Sequence, residues 1–311
     1  MPRVSIITAL YNKETYIAET IRSVLAQNMM DWEMIIVENG STDKSPEVAQ
    51  EYVDSRIRLV NSPKRGPGAA RNFGLHLATG EWVVFLDADD LIEPDFLESR
   101  LDLLREHPQA ELLAGNWEEF PDGQTVRAQR QATCFGAPAK ILEQSAIAFA
   151  PWALHAVIIR RSRITPDLFW PEALDGFPSE DTAFWFPVVV GAEMAWTTKA
   201  GALYRVQTNN SRNEIHDAER WIRAVIAVIQ HNVGFLEKLG RSPDKEQCAN
   251  IARVFESSYR LALKKHSRPA AKLATEHAKF WVEKCATSSS SMMARKILGI
   301  RLFNLLRFRM I

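Results

Sequence analysis

The stretch Gly80-Glu81-Trp82-Val83-Val84-Phe85-Leu86-Asp87-Ala88-Asp89-Asp90 decides the fold. Its largely apolar run from Trp82 to Leu86 passes directly into three carboxylates within four positions. A short run with β-branched and aromatic members predicts a buried central strand. Because charges are not buried without partners, the carboxylates should emerge where that strand ends. In open α/β sheets the carboxyl edge is where ligands bind.

Two interpretations of these carboxylates follow from the stretch alone. Aspartates spaced i, i+2 could hold a divalent cation and, through it, a ligand that carries phosphate. The same residues could instead form an acidic loop that caps a helix beginning near Pro94. The stretch by itself leaves both open.

Three earlier apolar runs have the same form as the Trp82 run. Each predicts a strand followed by a polar or Gly/Pro-rich loop and then a helix, and the strands are Val4–Leu10, Trp32–Val37 and Ile57–Val60. Four strands that alternate with three helices predict a parallel sheet with right-handed crossovers. The polar ends of these strands should therefore meet along one edge.

The chain after residue 90 is predicted to change character twice. We expect a helix over 94–105, strands near 111–117, 156–159 and 195–206, a hairpin around Asp122-Gly123, a helix over 139–149 and a helix that begins at Glu180. From residue 215 the periodicity predicts helices over 221–239, 245–265 and 269–285. The predicted domains are 1–214, a helical region 215–287, and a basic amphipathic helix 292–311.

Composition and charge bound the class of protein. With 46% hydrophobic and 24% charged residues, the chain reads as a globular protein. It lacks both a signal-peptide core and an apolar run of about 18 residues, so we expect a cytoplasmic protein. Although the net charge is zero, residues 264–311 are basic, because they carry 11 Lys and Arg against two Glu.

The basic segment 292–311 has two interpretations. As a helix with an apolar face and five basic side chains, it suits the surface of an anionic membrane, such as the inner face of the cytoplasmic membrane. It could equally pack on the body of the protein or on a second subunit. No nucleic-acid-reading module accompanies the charge, so no nucleic acid is expected.

Several motifs together resemble the family 2 glycosyltransferases. They occur in order over about residues 3 to 213: Val4-Ser5-Ile6-Ile7 with Tyr11-Asn12, Gly40-Ser41-Thr42-Asp43, Ala70-Arg71-Asn72, Phe85-Leu86-Asp87-Ala88-Asp89-Asp90, Glu180-Asp181 with Trp185, and Tyr204-Arg205-Val206 with Asn210-Ser211. The resemblance implies an α/β fold of the GT-A type, a Rossmann-like nucleotide-diphospho-sugar transferase fold. It also implies transfer with inversion of the anomeric centre and a need for manganese or magnesium.

The resemblance also assigns roles to residues. Asp89, with Asp87, would hold the metal, and Lys13 or Arg71 would neutralise phosphate. Asp181 would be the general base, with Glu180 its less favoured neighbour. The residues assigned to the nucleotide-sugar donor are Ala9, Tyr11, Asn12, Glu38, Asn39, Arg71, Asp87 and Ala88. The residues assigned to the glycan or lipid-linked acceptor are Trp152, His155 and Trp185.

Two kinds of observation weigh against a simple transfer of these roles. Glu38-Asn39 stands where the family commonly has two aspartates, the second of which usually reads the base, and Gln207 stands where His is frequent. Taken alone, Glu180-Asp181 is an ordinary acidic helix start, and a lone His is more often structural. The rival functions are a non-catalytic nucleotide-sugar or carbohydrate-binding module, and a nucleotidyltransferase, which would need a Gly-rich N-terminal loop that this chain lacks.

Overall fold

The four apolar runs form the four parallel strands of one sheet in the computed structural model. They are β1 (Val4–Leu10), β2 (Trp32–Glu38), β3 (Ile57–Asn61) and β4 (Trp82–Phe85), in the spatial order β3-β2-β1-β4. In β1, β2 and β4 nearly every residue is buried, as expected for strands covered on both faces. The structure describes residues 2–123, 127–130, 139–206 and 217–284.

Helices connect these strands as predicted. They are α1 (Ile17–Leu25), α2 (Ser45–Gln50) and α3 (Pro67–Leu77). α3 packs closely on the sheet at Gly74, where an added Cβ would lie 2.5 Å from Cγ2 of Ile7 and 3.1 Å from Cγ2 of Val37. This glycine fixes the position of α3 over β1 and β2.

The second half of the sheet is mixed. It contains β5 (Leu91–Ile92), β6 (Leu112–Pro121), β7 (Ala128–Arg130), β8 (Val157–Arg160) and β9 (Met194–Val206), and the full order is β3-β2-β1-β4-β8-β6-β9-β5, with β7 paired to β6. β8 is antiparallel to β4 and to β6, whereas β6 and β9 are parallel with a register shift between Gly115 and Trp117. The β6–β7 pair confirms the hairpin around Asp122-Gly123.

Several predicted bounds differ from the structure. The sequence predicts a helix over 45–53, whereas α2 ends at Gln50, and helix α4 covers Phe96–Leu101, followed by a 3-10 turn over Asp102–Arg105. The two-residue strand β5 was not predicted, because it forms by pairing with Leu203 and Ala202 of β9 and has no local sequence pattern. Residues 165–179, which are rich in Pro and aromatics and predict a loop, contain two 3-10 turns, Pro166–Leu168 and Glu172–Leu174.

Further helices occur later in the chain. α5 (Ala139–Ala146) precedes β8 and α6 (Glu180–Val189) precedes β9. After β9 come α7 (Ala218–Lys238), α8 (Lys245–Lys264) and α9 (Arg268–Lys284). Asp217 caps α7, and Asp244 with Gln247 forms a capping box on α8. A small-residue core joins the last three helices through Ala218, Ile222, Ala262, Ala270 and Ala274. Among the residues that the structure describes, no helix is long and apolar enough to span a bilayer.

The chain forms two compact units that do not follow chain order. Among the described residues, the sheet unit comprises 2–123, 127–130, 139, 151–176 and 190–206, and the helical unit comprises 140–150, 177–189 and 217–284. α6 therefore groups with the C-terminal helices, although it precedes residue 215. The domain bounds 1–214, 215–287 and 292–311 stay predictions, and segment 292–311 lies outside the described residues.

Candidate active site

The carboxylate loop Asp87–Asp90 follows β4, beside the loop that follows β1. β1 and β4 pair in parallel from Val4 and Trp82 onward, so their carboxyl ends lie at the same edge of the sheet. The amide of Leu86 donates to the carbonyl of Ile7 at 3.0 Å and extends this pairing to the base of the loop. The parallel topology thus brings Lys13 next to residues more than 70 positions later.

Each aspartate of the D-x-D pair contacts one cation. Nζ of Lys13 lies 2.5 Å from Oδ2 of Asp89, and Nη2 of Arg71 donates to Oδ1 of Asp87 at 2.7 Å. Arg71 is only 4% exposed, whereas Lys13, Asp87 and Asp89 are 17–29% exposed. Two carboxylates and two cations therefore form a small charged cluster that is partly open to solvent at the sheet edge.

The path of the carboxylate loop is fixed through its main chain. Oγ1 of Thr20 donates to the carbonyls of Ala88 and Asp90 at 3.0 and 2.9 Å, and Nε of Arg205 donates to the carbonyl of Asp89 at 2.8 Å. The amide of Arg205 also donates to Oδ1 of Asp90 at 2.8 Å. Three successive carbonyls are thus held by side chains from α1 and β9.

Arg205 is itself held by carboxylates. Its Nη2 lies 2.7 Å from Glu19, and its Nη1 lies 3.2 Å from Asp122, whose other oxygen accepts from the Tyr16 hydroxyl at 2.8 Å. The guanidinium carbon also lies 5.0 Å from the centre of the Tyr16 ring. A buried arginine needs such compensation, and here it links α1, the end of β6 and the carboxylate loop.

Asp90 differs from its two neighbours because it is buried. Its Oδ2 lies 3.3 Å from Nδ1 of His155, and both side chains are at most 1% exposed. Burial raises the pKa of Asp90 well above its ordinary value, with a further contribution from the charges of Asp89 and Asp87. Burial also lowers the pKa of His155 to about 4. Both pKa shifts favour the neutral form of the side chain concerned, so burial opposes an ion pair between Asp90 and His155.

Arg71 is positioned by the segment that precedes α6. Its guanidinium lies 4.3 Å from the centre of the Trp170 ring, and Asn72 exchanges hydrogen bonds with the main chain of Trp170 at 2.9 Å in both directions. The carboxylate of Asp175 accepts from the amides of Gly68 and Ala69 at 2.8 and 3.0 Å. Residues about 100 positions away thus cap α3 and hold its arginine toward Asp87.

Glu38 and Asn39 both shape loops. Glu38 accepts from the amides of Gly40 and Ser41 at 3.0 and 2.5 Å. Burial alone would raise the pKa of Glu38, but these two amides, the Ser41 hydroxyl and the charge of Arg65 together outweigh it and lower that pKa. Asn39, which is 7% exposed, donates to the carbonyl of Lys64 at 2.9 Å and accepts from the amide of Gly66 at 2.8 Å. Both polar atoms of Asn39 are therefore engaged within the protein.

The other predicted donor-side residues lie along the same edge. Ala9 is near the end of β1, Tyr11 is 51% exposed, and Asn12 has a positive φ of 50°. Oδ1 of Asn12 accepts from the amide of Thr42 at 2.8 Å. The loops after β1 and β2 are thereby joined, which makes a continuous rim of polar groups.

The predicted acceptor-side residues contribute to the core. Trp152, His155 and Trp185 are 3%, 0% and 0% exposed. Trp152 packs edge-on against Trp196 at 5.6 Å, and Trp185 packs against Phe184 at 5.0 Å. Their contact with an acceptor stays a prediction, and their packing gives them a structural role.

Glu180 and Asp181 begin α6 in the helical unit. Glu180 is 7% exposed, and Oδ1 of Asp181 accepts from the amide of Thr182 at 2.9 Å. Ser179, immediately before them, has a positive φ of 61°. Lys13, Arg71, Asp87 and Asp89 come together in the sheet unit, whereas Glu180 and Asp181 belong to the other unit. Gln207, Asn210 and Ser211 lie outside the described residues.

The residues of the carboxylate loop fit a divalent cation that is shared with a ligand. Among the described residues, no three His, Cys, Asp or Glu side chains form a metal-binding cluster. Magnesium is commonly held by one or two carboxylates together with substrate phosphates and water, and it does not require a complete protein cage. Asp89 and Asp87, which are partly exposed and on one loop, meet that requirement.

Known proteins are similar in sequence to the segment that contains Lys13, Arg71, Asp87 and Asp89. The sequence model described as glycosyl transferase family 2 matches residues 5–156. This segment belongs to glycosyl transferase family 2. The putative glycosyltransferase EpsH of Bacillus subtilis (strain 168) is 45% identical over 102 residues, which are 32% of this chain and 30% of EpsH. The putative teichuronic acid biosynthesis glycosyltransferase TuaG of the same strain is 44% identical over 108 residues, which are 34% of this chain and 43% of TuaG. This chain therefore spans less than half of either relative.

Solved structures extend the likeness to most of the chain. S. aureus TarS 1-349 in complex with UDP-GlcNAc has a TM-score of 0.61 at 19% identity, and covers 90% of this chain and 91% of that one. The mannosyltransferase PcManGT from Pyrobaculum calidifontis, in complex with GDP-Man and Mn2+, has a TM-score of 0.51 at 21% identity, with 99% and 82% covered. The fold is thus of the GT-A type with a helical C-terminal region, which confirms the expectation from sequence.

Several residues that build the site were not singled out from the sequence. Thr20, Glu19 and Asp122 gave no signal, because their partners are 68 to 186 positions away. Arg205 belongs to one of the quoted motifs but received no role, although a basic side chain inside an apolar strand implies a buried carboxylate or carbonyl partner. From the sequence alone the aromatic ring of Trp170 could stack on a sugar or pack in the core, whereas in the structure it stacks on Arg71.

Proposed function

We propose that the chain is an inverting glycosyltransferase that moves a sugar from a nucleotide diphosphate donor to a hydroxyl of a glycan or lipid-linked acceptor. One observation carries this proposal, namely the pairing of Lys13 with Asp89 and of Arg71 with Asp87 at the carboxyl edge of β1 and β4. Two partly open carboxylates flanked by two cations suit a diphosphate that is bound together with a divalent ion. The similarity to TuaG, which is named as a putative teichuronic acid biosynthesis glycosyltransferase, supports a role in the synthesis of cell-surface glycans.

The carboxylates would hold the cation, manganese or magnesium, through Asp89 and with Asp87 beside it. When bound, this ion supplies charge neutralisation to the diphosphate leaving group. Arg71 keeps one face against Trp170 and is therefore presented as a rigid, planar donor. Lys13 is the more exposed of the two cations and is the one able to turn toward a phosphate.

The base of the reaction is proposed to be Asp181. Inversion by direct displacement needs a group that takes the proton from the acceptor hydroxyl. Asp181 lies in the first turn of α6, and its Oδ1 accepts a hydrogen bond from the amide of Thr182. Glu180 is the alternative, although it is the more buried of the two acids.

The choice of nucleotide is proposed to depend on the loops that Glu38 and Asn39 shape, because the polar atoms of both side chains are already engaged there. UDP and GDP sugars are the first donors to test, since TarS and PcManGT are described in complex with them.

The test is a donor screen read as a thermal shift with and without manganese, followed by a transfer and hydrolysis assay. We expect one nucleotide class to raise the melting temperature only with the metal, and Asp89→Asn to abolish that shift. Asp95→Asn, a surface change on the same unit, is the matched control. Asp181→Asn should keep donor binding and lower turnover by about 10²- to 10⁴-fold. Donor binding with no turnover, unaffected by Asp181→Asn, would instead identify a binding module.

A further inference from the structure

The helical unit contains an open apolar groove between α7 and α9. The cavity measures about 520 Å³, and its apolar lining includes Ile226, Ile229 and Val233 from α7 and Phe280 and Trp281 from α9. Phe280 is 49% exposed, so a large aromatic surface faces solvent there. An exposed apolar groove of this kind is a candidate docking surface.

Gly234 leaves room in the wall of the groove. No atom lies within 4 Å of a Cβ built on this residue, although it sits in the interior of a 21-residue helix. Glycine in a helix interior is destabilising relative to alanine, so the local structure does not need a glycine here. Because Gly234 has no side chain, it leaves space in the groove beside α7.

The charge of the groove suits a basic occupant. The carboxylates that line it are Glu237 and Glu276, and the cation beside it is Lys284, whose Nζ lies 5.0 Å from the centre of the Phe280 ring and 5.6 Å from that of Trp281. Two acids against one cation leave the groove acidic. Glu276 is 60% exposed and its contact with Lys272 is long, at 3.9 Å, which leaves it accessible to a second cation. The last 20 residues of the chain carry five Arg and Lys, no acidic residue, and apolar residues between them.

The end of the chain is also within reach of this groove. α9 ends at Lys284, three residues after Trp281 and eight after Glu276. At 1.5 Å per residue these groove positions lie roughly 5 to 12 Å from the end of α9. Residues 285–291, if extended, span up to about 23 Å. Residues 292–311 can therefore return to the groove of their own chain.

We propose that residues 292–311 dock in the α7–α9 groove of the same chain. Their apolar side chains cover the exposed ring of Phe280, and their basic side chains lie against Glu237 and Glu276. The groove is thereby an internal binding site for the C-terminal segment. An anionic membrane or the segment of a second copy are the competing occupants, and the test below separates them.

The first experiment uses this chain with Gly234→Trp, which fills the groove, and with Gly234→Ala, which also removes the helix glycine but leaves the groove open. Trypsin cleavage after Arg301 and Arg307 is followed by mass spectrometry. Proteolysis tracks the population of the undocked form, so we expect it to be about tenfold or more faster in Gly234→Trp and unchanged in Gly234→Ala. Equal cleavage rates in the three proteins, each shown by circular dichroism to be folded, would overturn the proposal.

The second experiment does not depend on the tryptophan variant folding. A photo-cross-linking benzoylphenylalanine replaces Gln230, an exposed lining residue, and the control position is Arg220, an exposed residue of α7 outside the groove. We expect a cross-link within one chain from position 230 to residues 292–311, and none from position 220. Cross-links between two chains overturn the proposal in favour of a dimer. Absence of a cross-link, with protection of residues 292–311 by phosphatidylglycerol vesicles, overturns it in favour of a membrane.

Discussion

The contact between Lys13 and Asp89 predicts that removing the charge of Lys13 has opposite effects on manganese binding and on donor binding. If Asp89 holds the cation as proposed, an incoming cation displaces the ammonium of Lys13 from Asp89, and the released ammonium can turn toward the donor phosphates. Lys13→Met keeps the length of the side chain and removes its charge. We expect this variant to bind manganese more tightly in the absence of donor, and to bind the donor more weakly.

The size of the first effect follows from the exposure of the pair. The two side chains are 22% and 17% exposed, so their attraction exceeds that of a surface pair and falls short of that of a buried one. The attraction between Lys13 and Asp89 should contribute about 1–2 kcal/mol. Because about 1.4 kcal/mol corresponds to a factor of ten, its removal in Lys13→Met should lower the dissociation constant for manganese roughly 5- to 30-fold.

The second effect comes from the lost contact with phosphate. A hydrogen bond to a charged group contributes about 1.5–3 kcal/mol, so KM for the donor should rise roughly 10- to 150-fold. Manganese binding is measured without donor by water-proton relaxation or calorimetry at low ionic strength, and KM is measured by a transfer assay. Lys199→Met is the control, because Lys199 pairs with Asp95 away from the carboxylate loop.

One result would refute this reasoning. If Lys13→Met binds manganese with the affinity of the wild type and of Lys199→Met, then Lys13 does not compete for Asp89. A fall in donor affinity alone would then assign Lys13 to phosphate binding only, and the coupling between the two ligands would be absent.

Three further predictions concern stability. Arg205→Met should lower the free energy of unfolding, measured by urea titration, by about 2–4 kcal/mol. The reason is that two carboxylates and the Asp89 carbonyl lose the donor that Arg205 provides. A loss below about 0.5 kcal/mol would contradict this role of Arg205. Asp175→Ala removes the cap of α3 and should cost about 1 kcal/mol by the same measurement, with faster hydrogen exchange at Gly68 and Ala69 as the specific readout. For Glu33, burial alone would raise the pKa, but hydrogen bonds from Thr79 and Ser5 and the charge of Arg58 outweigh it and lower that pKa. Its stabilisation is therefore complete above the ordinary value of 4.5 and is lost as pH falls through the lower folded-state value. Glu33→Gln should flatten the acid limb of the stability curve, and an unchanged limb would exclude this source of pH dependence.

The first half of the fold was predictable because its signals are local. Strands buried on both faces appear as continuous apolar runs, and their order in the chain dictates a parallel sheet. The position of Asp87 and Asp89 followed from the end of one such run. The second half has weaker local signals, since β5 is two residues long and β8 is four, and their pairing with β9, β4 and β6 is determined by tertiary contacts.

The supporting contacts of the site were beyond local prediction for the same reason. Thr20 is an unremarkable residue within a helix until its hydroxyl meets the carbonyls of Ala88 and Asp90. Asp175 is a loop acid until it reaches the amides of α3. Sequence could predict which carboxylates lie at the edge of the sheet, but it could not predict which side chains hold them in place.

The main-chain anchoring of the carboxylate loop separates the shape of the loop from its chemical identity. Thr20 and Arg205 hold carbonyl oxygens, which every residue type possesses, so the side chain at position 89 can be exchanged while the backbone keeps its path. Substitutions at Asp89 are consequently suited to exploring new ligands or reactions on an unchanged framework. The same change at Asp90, which is buried and bonded to the amide of Arg205, would alter the framework itself.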